Sequence, residues 1–228
     1  MDLTPETVAG LAAAYPDLQP LASVESEHLE VLPTTFASGD YGWRDAEWVV
    51  QWYFRRFLGA YPDADRRAAE SAFGENDYED VHAAIAGALE AESTAAKLDQ
   101  LDDLTGVDVS VASAFLQFLE PTAYLVMSPV EWSVLQDVGV IDGPYPDEST
   151  ADGPTADEPP DDGPSADGTT ADRPPDDGPS ADGPTADDYR RYLDTCVRIA
   201  DDCDADLWTV YRALWVRWYR ESGEIPSV

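Results

Sequence analysis

Between Pro146 and Asp187 the chain contains no Val, Ile, Leu, Phe, Trp or Tyr, and this apolar-free tract divides everything else into two pieces. Ordering a residue costs about 1–2 kcal/mol of conformational entropy, and without apolar burial nothing offsets that cost. Within the tract Pro-Pro-Asp-Asp-Gly-Pro-Ser-Ala-Asp-Gly occurs at 159–168 and again at 174–183, and Asp-Gly-Pro punctuates the rest. The expectation is an acidic, disordered insert over 145–185, flanked by 1–144 and 186–228, which together form one discontinuous domain. Tyr145 to Asp188 holds 14 acidic residues against Arg173 alone, so the flanking pieces share the rest of the net charge of −34 and are acidic too.

Both pieces read as helices. Trp43 to Ala60 sets Trp48 and Trp52, then Val49 and Tyr53, four apart, as on a buried helix. Thr-Pro-Glu opens a helix from Thr4 to Tyr15 that Pro16 should close, and a shorter one is expected around Ser26 to Leu32. Others are expected at Asp63 to Phe73, Asp77 to Glu92, Pro129 to Val138 and Asp206 to Arg220. From Asp187 onward Tyr189, Tyr192, Leu193, Cys196 and Ile199 follow threes and fours. No segment alternates as a strand does, so the fold class is all-α.

The most specific stretch is Leu104-Thr-Gly-Val-Asp-Val-Ser-Val-Ala-Ser-Ala-Phe-Leu116. Ala95, Leu98, Leu101 and Leu104 recur at threes before it, and Val111, Ala114, Phe115 and Phe118 recur after it. Two helices joined by a short turn at Gly106-Val107-Asp108 are expected. Gly106 supplies a positive φ, and Asp108 caps the second helix.

That stretch, with Phe118-Leu-Glu-Pro and Tyr124-Leu-Val-Met-Ser-Pro-x-Glu-Trp132 after it, resembles the helix-hairpin-helix element and following loop of the base-excision DNA glycosylase superfamily. The similarity runs from about Leu98 to Val138, with weaker similarity at Trp43 to Arg56 and Tyr189 to Trp215. The resemblance implies a DNA-glycosylase-like helical fold, a DNA-repair setting and duplex DNA as partner. It also implies contact with the DNA backbone through Gly106, Val107, Asp108 and Ser110. Lyase members carry a lysine where this chain has Ser110, and the family's aspartate falls at Ser128, eighteen residues on. A serine is neither an amine nucleophile nor a carboxylate that activates water, so ordinary catalysis is expected to be lost. For both serines a simpler role stands beside this one: an early helix residue at 110 and a helix cap before Pro129 at 128. If a carboxylate has been relocated to restore activity, Glu131 or Glu120 is the candidate. The remaining alternative is a helical interaction or scaffold protein without DNA binding, which Asp108 favours by setting a carboxylate beside the expected phosphate.

Trp52, Arg55 and Arg56 are candidates for base or phosphate contact, since aromatic and arginine side chains can stack on or clamp a base. Core packing is the competing role, because the aromatics keep helical spacing. Arg66 and Arg67 extend the basic cluster, and pairing with surface acids is the plainer account of it.

Against 47 acidic residues stand 13 basic ones, of which Lys97 alone is lysine. Such a balance resembles that of proteins from salt-accumulating archaea: the carboxylates repel one another in dilute buffer and are screened at molar salt, where the Debye length is about 3 Å. It excludes a broad basic nucleic-acid surface, leaving only local patches. Lys97 is expected on the outer surface. His28 and His82 are isolated, and Cys196 and Cys203 are too few for a zinc site, so they read as free thiols; no metal and no cofactor is implied. The absence of a basic-then-apolar leader or a transmembrane-length apolar run points to a cytoplasmic protein with no membrane partner.

Overall fold

The computed structural model describes residues 2–146 and 183–222, and the described residues form ten α-helices and no strand. They are α1 (Pro5–Leu18), α2 (Ala22–Ser38), α3 (Trp43–Arg55), α4 (Asp63–Phe73), α5 (Tyr78–Glu90), α6 (Thr94–Asp102), α7 (Val109–Leu119), α8 (Pro129–Asp137), α9 (Ala186–Cys203) and α10 (Leu207–Ser222). The all-α expectation is met. The expected insert falls mostly on 147–182, outside the described residues. Its two flanks are described, and they are built into the fold: Tyr145 is buried, and Thr185 caps α9 in a reciprocal box with Asp188.

At the centre lies α7, whose ten residues from Ser110 to Leu119 are all buried. It is enclosed by α2, α3, α6 and α9, and its polar side chains Ser110, Ser113 and Gln117 are hydrogen-bonded inside the core. α10 runs along α1 and against α8, so the chain after residue 183 joins the same core as the chain before 146. Tyr15, Trp52, Trp132, Tyr189, Tyr192, Tyr211 and Trp215 are all almost wholly enclosed.

The linker from α7 to α8 passes through this core without helix or strand, with 124–128 buried. Backbone groups buried without partners are costly, and here side chains supply the partners. Gln117 Oε1 accepts the Val126 amide at 2.9 Å, Ser113 Oγ accepts the Met127 amide at 2.8 Å, and the Tyr189 and Tyr192 hydroxyls donate to the Leu125 and Val126 carbonyls at 3.0 and 2.8 Å. The tyrosines of α9 are thus both apolar filling and donors for a segment with no helix of its own.

Three sequence expectations need correction. Pro16 does not close α1: the helix continues to Leu18, because Tyr15, fully buried, and Leu18 both pack in the core, and that burial outweighs one lost backbone bond. Pro33 lies inside α2 in the same way, so α2 is far longer than the Ser26 to Leu32 segment expected. Lys97 is not on the outer surface. It is only 6% exposed, its Nζ donating to the Ala88 carbonyl at 2.8 Å and to Glu120 Oε1 at 2.6 Å.

Gly106 has φ +78°, and a Cβ there would stand 2.7 Å from the Phe73 nitrogen and 2.9 Å from the Ala69 carbonyl oxygen. Gly139 has φ +71° and nothing within 4 Å of its would-be Cβ. Gly139→Ala should therefore cost only the left-handed strain, about 1–2 kcal/mol. Gly106→Ala should cost about 1–3 kcal/mol more, because the α4 backbone cannot yield. Urea unfolding of both variants checks this, and equal losses would mean that α4 does not bear on the turn.

Candidate functional site

The stretch from α6 to α7 places a pocket. α6 ends at Asp102, earlier than the sequence pattern suggests, and Leu104 is buried in the connection rather than on the helix. The Thr105 amide donates to Asn76 Oδ1 at 2.9 Å, while Asn76 Nδ2 donates to the Thr105 carbonyl at 2.9 Å and the Phe73 carbonyl at 2.8 Å. Asp108 caps α7 as expected, its Oδ1 accepting the Val111 amide at 2.8 Å. Asn76 was not singled out in the sequence. An asparagine in Gly74-Glu-Asn-Asp reads as a loop residue, and its partner lies 29 residues away.

Over this turn opens a pocket of about 370 Å³. Gly106, Val107, Asp108, Ser110 and Val111 form one wall, Tyr53 and Phe54 of α3 another, and Tyr61, Ala69, Pro129, Tyr145 and Pro184 complete it. The two serines singled out in the sequence have separate fates. Ser110 is in the pocket wall, buried, and its hydroxyl is hydrogen-bonded to that of Tyr145. Ser128 is wholly buried behind Pro129. Its Oγ accepts the Val130 amide at 3.2 Å and donates to Glu131 Oε2, so it caps α8 and orients a carboxylate.

That carboxylate belongs to a buried ion pair. Glu131 Oε1 accepts from Arg56 Nη1 at 2.5 Å and its Oε2 from Nη2 at 3.3 Å, with both side chains fully enclosed. Burial opposes the charge of Arg56, but Glu131 prevails and holds the guanidinium firmly protonated. Around it stand the rings of Phe57, Tyr53, Trp52 and Tyr211, at 4.6 to 5.6 Å from the guanidinium carbon. The Arg56 carbonyl, at the end of α3, accepts from Gln19 Nε2 at 3.1 Å and Trp215 Nε1 at 3.0 Å. A second buried acid, Glu25, accepts from Trp52 Nε1 and the Tyr15 hydroxyl, both at 2.7 Å; burial raises its carboxyl pKa against those two hydrogen bonds.

Trp52 and Arg56, candidates for base or phosphate contact, are therefore core residues, committed to Glu25 and Glu131. Arg55 is half exposed and lies 3.7 Å from Glu70, which also takes Arg66. The relocated-carboxylate candidates are engaged too, Glu131 by Arg56 and Glu120 by Lys97, and neither lines the pocket. Cys196 and Cys203 are free thiols, and burial pushes the Cys196 thiol up to about 12. His28 lies flat on Trp48 at 3.7 Å and His82 on Tyr41 at 4.9 Å, so each is a packing residue. Among the described residues there is no cluster of three or more metal-ligating side chains, and no helix long and apolar enough to cross a membrane.

Compared with protein-family models, with curated proteins and with solved structures, the chain matches none.

Removing the clamp on the turn tests how that pocket is held. Asn76→Ala breaks three hydrogen bonds to backbone and should cost about 1–3 kcal/mol, with faster hydrogen exchange at the Thr105 amide. Unchanged exchange there would show that the turn keeps its shape without Asn76.

Proposed function

We propose that this protein is a divergent relative of the helix-hairpin-helix DNA glycosylases that contacts duplex DNA without cutting the glycosidic bond. The observation that carries the reading is the pocket on the Gly106 turn, with Ser110 in its wall and its hydroxyl engaged by Tyr145. A Schiff base requires an amine, and the one lysine of the chain is buried between Ala88 and Glu120. A water-dependent reaction requires a carboxylate at the pocket to activate the water or steady an oxocarbenium-like centre. Asp108 is the acid in the pocket wall, and it is engaged as the cap of α7, while Glu131 is bound to Arg56 behind it. These engagements support the reading without a relocated catalytic carboxylate over the one with it.

A second reading, an interaction protein that does not bind DNA, is favoured by one observation. The exposed residues about the turn include Asp102, Asp103 and Asp108, and carboxylates repel phosphates.

Plain and abasic duplexes titrated in molar potassium chloride, with strand cleavage and borohydride trapping read on the same samples, separate these readings. Saturable binding, weakly dependent on salt because few basic groups are at hand, with neither cleavage nor adduct, is the expected result. Folded protein that binds neither duplex leaves the interaction reading. An adduct that disappears in Lys97→Ala would restore the enzyme.

A further inference from the structure

Glu25 and Glu131 are both wholly enclosed, but they are held in different ways. Glu131 is paired with Arg56, whereas Glu25 meets no basic group at ion-pair distance among the described residues. Its Oε2 accepts from the Tyr15 hydroxyl of α1 and its Oε1 from Trp52 Nε1 of α3, each at 2.7 Å. A carboxylate can accept about four hydrogen bonds, so these two leave its charge only partly satisfied. Burying a charge in that condition is costly, and taking up a proton removes the cost.

The Tyr15 hydroxyl has a second neighbour, the hydroxyl of Tyr211 on α10, at 3.4 Å. Ionised Glu25 can only accept, so Tyr15 must give it its proton. With a proton on Oε2, Glu25 donates to Tyr15 instead, and the proton of Tyr15 is free to turn to Tyr211. Oε1 goes on accepting from Trp52 in both forms. One proton taken from solvent thus moves the Tyr15 bond from α2 to α10.

The other groups facing Glu25 keep their protons meanwhile. Burial pushes the Tyr15 and Tyr211 hydroxyls far above the ordinary phenol value, and Glu131 holds Arg56 protonated. Arg212 of α10 bonds to Ser26 and lies over the Tyr15 and Trp208 rings. On α1 the acids Glu6 and Asp17 are exposed, and α7 carries no titratable residue. His82 of α5 meets α2 at its far end, at the Gly39 carbonyl. His28, one turn along α2, lies on Trp48 and bonds to the Val24 carbonyl.

We infer that Glu25 is a proton-operated latch: protonated, it lets Tyr15 of α1 bond to Tyr211 of α10, and ionised, it draws Tyr15 back to α2. Burial raises the Glu25 pKa against the bonds from Tyr15 and Trp52 and the more distant charges of Arg56 and Arg212. The folded chain therefore holds this proton more tightly than the unfolded chain does. The stability it brings is whole below the ordinary carboxyl value and is lost as pH rises through the raised one. α1 lies along α10, so their packing is tighter on the acid side.

The Trp52 indole N–H reports on the latch directly, being bonded to Oε1. Its magnetic resonance signal, assigned by its loss in Trp52→Phe, would be followed in the full chain in molar potassium chloride from about pH 4 to about pH 9. It should shift with a midpoint above the ordinary carboxyl range, and the shift should persist in His28→Ala. In Glu25→Gln, whose amide can donate to Tyr15 as the protonated acid does, the shift should be lost. Urea unfolding gives the second readout. The folding constant of the parent relative to Glu25→Gln should fall by up to about tenfold per pH unit between the ordinary and the raised value. A parent signal that does not move, that moves at the ordinary carboxyl value, or that loses its shift in His28→Ala would overturn the inference without the glutamine variant. So would a folding-constant ratio that is flat or rises with pH.

Discussion

A guanidinium and a carboxylate, each fully enclosed, cannot stay in a protein core unless they meet, and the meeting of Arg56 with Glu131 fixes how the helices around them are arranged. Arg56 caps the end of α3, its carbonyl taken by Gln19 after α1 and by Trp215 of α10, and its guanidinium ringed by Trp52 and Tyr53 of α3, by Phe57 just beyond it and by Tyr211 of α10. Glu131 lies in the first turn of α8 and holds the hydroxyl of Ser128. One ion pair therefore joins α3, α8 and α10, and the buried segment before α8 is drawn in with it.

That arrangement also reaches the pocket over the Gly106 turn, since Tyr53 of its wall is one of the rings around Arg56. Arg56 is paired with Glu131 and Arg66 with Asp63 and Glu70, and elsewhere in the fold Lys97 is paired with Glu120. Among the described residues the wall presents hydroxyls, aromatic surface and the capping carboxylate of Asp108.

Much of this was legible in the sequence, and the parts that were not share a cause. Helix periodicity and caps are local, so α4 was read to the residue, and the roles of Gly106 and Asp108 followed from their neighbours. The spacing of Val111, Ala114, Phe115 and Phe118 shows one apolar stripe on α7, whereas its burial on every side also encloses Ser110, Ser113 and Gln117, whose partners lie elsewhere in the chain or on its own backbone. Pairings between distant residues leave no local trace. Nothing near Arg56 announces Glu131, 75 residues later, and an arginine among aromatics reads equally as a base clamp or as a caged core cation. Lys97 reads as a surface residue because nothing local predicts that Glu120 will meet it. Proline is the opposite case: its local rule is strong, yet at Pro16 and Pro33 the burial of neighbouring side chains overrules it.

The claim that the buried pair serves the fold, and not a reaction, is tested most directly by a double-mutant cycle. Arg56→Met, Glu131→Gln and the double variant would be unfolded in urea at the salt concentration where the parent is most stable. Each single change leaves a buried group without its partner and should cost about 3–5 kcal/mol. The double variant should cost less than the two together by about 2 kcal/mol or more. Losses that add to within about 0.5 kcal/mol would show that the two side chains do not depend on each other, and would contradict this account of the core.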